Sequence, residues 1–151
     1  MVQFTPEQSR SAVEITQLVN LWANELDLND GLSIAPLIAQ DCVYVVRAEP
    51  RRGRDAVVQF YQQRMAELQA SPSGPPFQRH IISNLVFQFG DAGVVGATFL
   101  LTYYAAFQAP PVAGFAGPVA VADCRMQFCL EEGGWKIAEF SSVQNFHRPI
   151  S

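Results

Sequence analysis

No part of the chain restricts its architecture more than Arg79–Phe89, RHIISNLVFQF. Alternate residues of a strand face opposite sides, so His80, Ile82, Asn84 and Val86 are expected on one side, with Ile81, Ser83, Leu85 and Phe87 on the other. Neither side is cleanly polar, which predicts a strand covered on both sides for much of its length. Such a strand needs long partners, and the second half of the chain supplies them. Gln78–Phe89, a GDAG turn at Gly90–Gly93 and Val94–Ala109 read as one long hairpin. Val119–Leu130, the turn EEGG and Trp135–Ser142 read as another, after the loop PPVAGFAGP at Pro110–Pro118.

The first half reads as helix. Thr5 is placed to cap it, Pro6 sits where a missing N–H costs nothing, and Gln8 completes a capping box. Ile15, Leu18, Val19, Trp22 and Leu26 then recur at the spacing of one apolar helix stripe. A turn of about 100° per residue puts Asp27 beside Ala23, at the margin of that stripe. There it either borders a buried region or opens the LDLNDG turn as a solvated carboxylate. A second short helix is expected with Ser33 as cap and Pro36 in its first turn. Asp41–Arg47 (DCVYVVR) reads as a short β-branched strand, Glu49–Arg54 as a turn, and Asp55–Ala70 as an amphipathic helix burying Val57, Phe60, Tyr61, Met65 and Leu68. Ser71–Pro76 is a loop. Helices followed by long antiparallel strands give an α+β fold, one domain over residues 1–151. A curved antiparallel sheet wrapped around the N-terminal helices leaves a cone with an open end, and so a small-molecule pocket.

Charge and composition narrow the partners. A net charge of −4 and a pI of about 5.0 argue against nucleic acid. No apolar run is long enough to span a bilayer and none resembles a signal peptide, so a cytoplasmic protein without membrane contact is expected. Cys42, Cys124 and Cys129 are odd in number and form no CxxC pair, which predicts free thiols. His80 and His147 lie far apart without HxxxH or clustered acids, so no metal site is expected. There is no P-loop, dinucleotide turn or nucleophile elbow, and no cofactor is expected. Runs such as ATFLLTYYAAF are too apolar to be solvated on one side, and they predict a homo-oligomer, dimer or trimer, formed through the outer sheet face.

The helix ending LWANELDLNDGLSIAPLIAQDCVY, the segment RRGRDAVVQFY, and RHIISNLVFQF followed by GGWKIAEF together resemble the SnoaL-like branch of the nuclear transport factor 2-like superfamily, which is cystatin-like in fold. The resemblance covers roughly residues 8–145. Within the superfamily, WANELD and RHIISN are similar to motifs of scytalone dehydratase and hexachlorocyclohexane dehydrochlorinase. There a helix-end aspartate pairs with a histidine on the facing strand, which implies that Asp27 and His80 are neighbours. Tyr104 falls where the dehydratase has a second pocket histidine, and Tyr44 falls near one of its substrate-binding tyrosines. Leu26 replaces the tyrosine that precedes the aspartate there, and Ala122 and Cys124 replace polar residues. The implied pocket is therefore more apolar. Ketosteroid isomerase fits poorly, because its carboxylates would fall near Val46 and near Cys124 or Met126.

What the resemblance implies is a cofactor-free lyase, a dehydratase or other elimination catalyst, or an isomerase. Its substrate would be small, mostly apolar, aromatic or polyketide-like. An imidazole titrates near neutrality and suits proton abstraction, with Asp27 orienting His80. Tyr44 and Tyr104 would donate hydrogen bonds to a carbonyl or leaving hydroxyl, although only one of the adjacent Tyr103 and Tyr104 can face inward. Trp22, Phe115 and Met126 would form apolar walls, or else pack as plain core. Asn84 would line the pocket or be a buried amide bonded to backbone. Arg47, Arg51, Arg52 and Arg54 would either attract an anion at the mouth or form a solvated turn, and the Pro110–Pro118 loop would act as a lid. The alternative is a small-molecule-binding or accessory subunit without chemistry, like the β-subunit of ring-hydroxylating dioxygenases.

Overall fold

In the computed structural model of the protein, residues 3–114 and 117–150 are described. Helix α1 spans Pro6–Asn29 and begins with the expected capping box. Thr5 Oγ1 accepts from the Gln8 N–H at 3.2 Å, and Gln8 Oε1 accepts from the Thr5 N–H at 2.9 Å. Its stripe Ile15, Leu18, Val19, Trp22 and Leu26 is buried throughout. Helix α2 spans Arg54–Ala70 and buries Val57, Tyr61 and Met65.

The strands are β1 (Ile38–Val46), β2 (Glu49–Arg52), β3 (Phe77–Phe89), β4 (Val95–Ala106), β5 (Ala120–Glu131) and β6 (Gly134–His147). They form one sheet in the order β2-β1-β6-β5-β4-β3, antiparallel except for the parallel pair β1–β6. Strand β5 alternates cleanly, with Ala120, Ala122, Cys124, Met126 and Phe128 turned into the core against α1. The architecture is the α+β cone expected: two helices on the inner face of a curved sheet whose edge strand β3 passes the end of α1.

Three local expectations change. The short helix is a three-residue 3-10 turn, Ala35–Leu37, with Ile34 rather than Ser33 at its start. Ser33 is held elsewhere, because its N–H donates to Glu25 Oε1 at 2.6 Å. Glu25, itself buried, also accepts from Asn29 Nδ2 at 2.7 Å and so ties off the end of α1. The turn expected at Glu49–Arg54 contains β2, joined to β1 through Arg47 and Ala48 at φ 55° and 64°. Positive φ at both central residues matches strand twist in a two-residue hairpin, but glycine or asparagine normally announces it.

The third change concerns β3. Its pairing with β4 slips between Ser83, opposite Leu100, and Val86, opposite Thr98. Asn84 and Leu85 therefore oppose a single residue, with Asn84 at φ 54°, a β-bulge that reverses the alternation. His80 and Ile82 face inward before the bulge; Leu85, Phe87 and Phe89 do so after it. Val86, expected to share a face with His80, is turned outward and is 56% exposed.

Candidate active site

The last turn of α1 and the first residues of β3 meet at the open end of the cone. Asp27 is within that turn, not beyond it, and its side chain is only 7% exposed. Both of its carboxylate oxygens accept from the His80 backbone N–H at 3.0 Å, which covers a donor on the sheet edge. Asp27 Oδ1 also lies 2.7 Å from His80 Nδ1. With the carboxylate ionised, Nδ1 carries the proton and donates it. Nε2 is then the lone-pair nitrogen, with no hydrogen-bond partner among the described residues.

Packing fixes the imidazole plane. The ring of Tyr103 lies against it, centroids 4.7 Å apart and tilted by 32°. Tyr103, opposite His80 in the strand register, is thus the inward member of the tyrosine pair, while Tyr104 pairs with Arg79 on the alternate face. The Tyr103 hydroxyl donates to Gln78 Oε1 at 3.1 Å. Gln78 is 4% exposed, and its Nε2 donates to Leu26 O at 2.7 Å and to Asp30 Oδ1 at 3.0 Å. Burial raises the Asp30 carboxyl above its ordinary range; the nearby Arg64 pulls it back and Asp27 adds to the rise.

Beneath the dyad lies a cavity of about 150 Å³, lined by Trp22, Leu26, Tyr44, Tyr61, Arg64 and Phe140 among others, with His80 and Gln78 on its wall. Its aromatic floor is closely packed, with Tyr44 and Phe140 centroids 4.6 Å apart and Trp22 and Phe140 5.1 Å apart. A polar thread crosses it. Trp22 Nε1 donates to Tyr44 Oη at 2.9 Å, and Tyr44 Oη lies 2.7 Å from Tyr61 Oη. Burial raises the Tyr44 phenol well above 10.0, so it stays protonated.

Of the residues picked from the sequence, Asp27, His80, Trp22 and Tyr44 meet here. Asn84 does not: its bulge conformation leaves it exposed, neither on the cavity wall nor a buried amide. Met126 is 1% exposed and packs in the core rather than on the cavity wall. Phe115 lies outside the described residues, as does part of the Pro110–Pro118 loop. Two members of the arginine cluster are spent on structure. Arg51 stacks on Phe60 at 3.8 Å, and Arg54 pairs with Glu131 at 2.8 Å. Gln78, Tyr61, Arg64 and Phe140 were not legible in the sequence as site residues. Tyr61 and Arg64 lie three apart on α2, a spacing that puts both on one face, and that was the available signal.

The SnoaL-like domain family matches residues 7–141, nearly the whole chain. The protein belongs to that family. No curated protein matches its sequence. Solved structures similar in fold include Aln2 from a Streptomyces species, at 14% identity over 95% of each chain with a TM-score of 0.73. An NTF2-like protein with a cystatin-like fold from Novosphingobium aromaticivorans matches at 18% identity, over 90% of this chain and 82% of that one, with a TM-score of 0.70. A protein from Catenulispora acidiphila in complex with S-DNPA matches at 16% identity, over 91% and 96%, with a TM-score of 0.73. The SnoaL-like family includes polyketide cyclases and dehydratases, and NTF2-like domains bind small molecules and often form oligomers. Among the described residues no helix is long and apolar enough to cross a membrane, and no cluster of three metal-ligating side chains occurs.

Proposed function

We propose that this SnoaL-like protein is a cofactor-free lyase or isomerase acting on a small, mostly apolar carbonyl compound through His80 and Asp27. The observation that carries this reading is the 2.7 Å Asp27–His80 contact at a cavity wall, with Nε2 left for a ligand. Asp27 holds the tautomer and stabilises the imidazolium once it forms. Nε2 takes a proton from the carbon beside the carbonyl, and the electron pair moves onto the carbonyl oxygen. In a dehydration the enolate then expels a β-hydroxyl, which leaves as water with the proton returned from Nε2. In an isomerisation the same proton goes back to a different carbon. The site is proposed to work in a homo-oligomer. Ile81, Val86, Val143 and Phe146, all on the outer sheet face, are 51–71% exposed, and light scattering on the purified protein tests for their burial between copies.

His80→Ala and Asp27→Asn are the deciding variants, assayed against one-ring β-hydroxyketones and enolisable ketones. Loss of positioned acid–base catalysis should lower turnover by about 10²–10⁴-fold. Unchanged turnover in both variants refutes the mechanism. Ligand binding with no turnover by the wild-type protein would favour a binding or accessory subunit instead.

A further inference from the structure

The hydroxyl thread through the cavity has a direction. An indole N–H only donates, so Tyr44 Oη accepts from Trp22, and the Tyr44 proton must go elsewhere. Tyr44 is 0% exposed, and its one acceptor among the described residues is Tyr61 Oη at 2.7 Å. Reversing that bond would strand the Tyr44 proton in a dry interior. Trp22 therefore donates to Tyr44 and Tyr44 to Tyr61. The Tyr61 hydroxyl proton then has no acceptor among the described residues, on a side chain that lines the cavity. Burial raises this phenol to about 12, against the opposing pull of Tyr44 and Arg64, so at neutral pH it is an O–H donor.

Arg64 sits one turn further along α2 on the same cavity wall. Its guanidinium makes one long hydrogen bond, Nη2 to Gln78 Oε1 at 3.3 Å, and pairs with no carboxylate among the described residues. We propose that Tyr61 and Arg64 form a hydrogen-bond-donor subsite that binds the carbonyl oxygen of a neutral, single-ring ketone in the cavity whose wall His80 shares. This deepens the elimination or isomerisation reading and rests on it for the chemistry: the oxygen that gains the electron pair when Nε2 removes the proton lies against two donors, one of them charged. Two further observations define the ligand. A cavity near 150 Å³ holds about one six-membered ring. Asp30 lines the same cavity, so a permanently anionic ligand meets a carboxylate there, whereas a neutral acceptor does not.

The test is binding, followed by chemical-shift titration, of cyclohexanone and of methylenecyclohexane, its near-isostere without the oxygen. Cyclohexanone accepts hydrogen bonds and donates none, so neither aspartate can reward it. The ketone should bind about tenfold tighter to the wild-type protein, a ratio set by one or two hydrogen bonds. Tyr61→Phe and Arg64→Met should each erase most of that preference and leave the hydrocarbon's affinity alone, while His80→Ala should keep it. The Arg64 variant alters a cavity-wall side chain that is partly exposed, so the test does not hang on the fold of the Tyr61 variant. Failure to bind cyclohexanone, equal affinity for the two probes, or a preference that survives both α2 variants overturns the subsite. Because these readouts need no turnover, a failed dyad with an intact ketone preference is recognisable as such.

Discussion

Replacing Gln78 by leucine removes four hydrogen bonds at nearly constant volume. Gln78 donates to the Leu26 carbonyl and to Asp30, and accepts from Tyr103 and Arg64. The Leu26 carbonyl belongs to the final turn of α1, where the Asp30 N–H bonds to Glu25 O instead, so Gln78 is its partner. Leaving that buried carbonyl unpaired costs about 1–3 kcal/mol, and the Tyr103 and Asp30 bonds add about 0.5–1.5 kcal/mol each. Some of this returns because the cavity is open to water, and the 3.3 Å Arg64 contact is counted as nothing. The expected loss is about 3 kcal/mol, or roughly 6–12 °C in Tm for a chain of this size. Urea titration and calorimetry measure it. Gln78→Glu should lose more at neutral pH, because an acceptor then faces Leu26 O and the Asp30 carboxylate. Its deficit should shrink as acid protonates the new carboxyl and restores a donor. A loss below about 1 kcal/mol in both variants, within the range of one ordinary hydrogen bond, refutes the view of Gln78 as the tie between α1 and β3.

Three further outcomes follow from single features. Gly31 sits at φ 79° against the Tyr61 ring, where an added methyl carbon would lie 2.6 Å from Cγ; Gly31→Ala should cost about 1–3 kcal/mol and weaken ketone binding. Gly74→Ala, at φ 65° with nothing within 4 Å, carries the backbone strain alone, and equal losses in the two would rule out the collision. At Asn84, glycine takes φ 54° freely, so Asn84→Gly should be neutral or better. Deleting residue 84 instead removes the bulge and puts Ile82, Leu85, Phe87 and Phe89 on one parity, so the inward face and the β4 register are kept and circular dichroism should show a folded chain. Burial raises Tyr61 from 10.0 and Cys42 and Cys124 from 9.0, each to about 12. The unfolded chain releases these protons first, so stability is full below pH 9 and falls from there to about pH 12. An unchanged urea midpoint between pH 8 and 10.5 contradicts this.

Much of the architecture was legible because it rests on period and punctuation. The stripe from Ile15 to Leu26, the capping box at Thr5 and the strand alternation of β5 each state their structure locally. The bulge at Asn84 was not legible, since one residue in the left-handed region reverses a face without changing composition. That reversal explains why neither side of RHIISNLVFQF looked polar: its two halves bury opposite parities. The hairpin at Arg47–Ala48 was missed for a related reason, its positive φ values falling on residues that do not advertise them. At the site, the Asp27–His80 neighbourhood came from family resemblance rather than spacing. Tyr44 lines the cavity, but its hydroxyl is occupied by Trp22 and Tyr61, and the hydroxyl with a proton left over is that of Tyr61. Only a hydrogen-bond valence count in three dimensions reveals it.

The candidate site gathers where regular structure ends, and this divides its residues into two kinds. At the last turn of α1 and the edge of β3, backbone groups lack helix or sheet partners, and side chains fill the gap: Gln78 on the Leu26 carbonyl, Asp27 on the His80 N–H, Glu25 on the Ser33 N–H. Asp27 and Gln78 also aim the imidazole, directly and through Tyr103, so anchoring and orientation are one set of bonds. Arg64 differs, because its polar end finishes in the cavity and little of the fold hangs from it, whereas Tyr61 also holds the fold through the buried Tyr44 proton that it accepts. Losses of stability and of ligand preference should therefore travel together in Gln78 variants and in Tyr61→Phe, and separate in Arg64→Met. Stability falling as far in Arg64→Met as in the Gln78 variants would mean that Arg64 is a structural tie after all, with no donor to spare for a ligand.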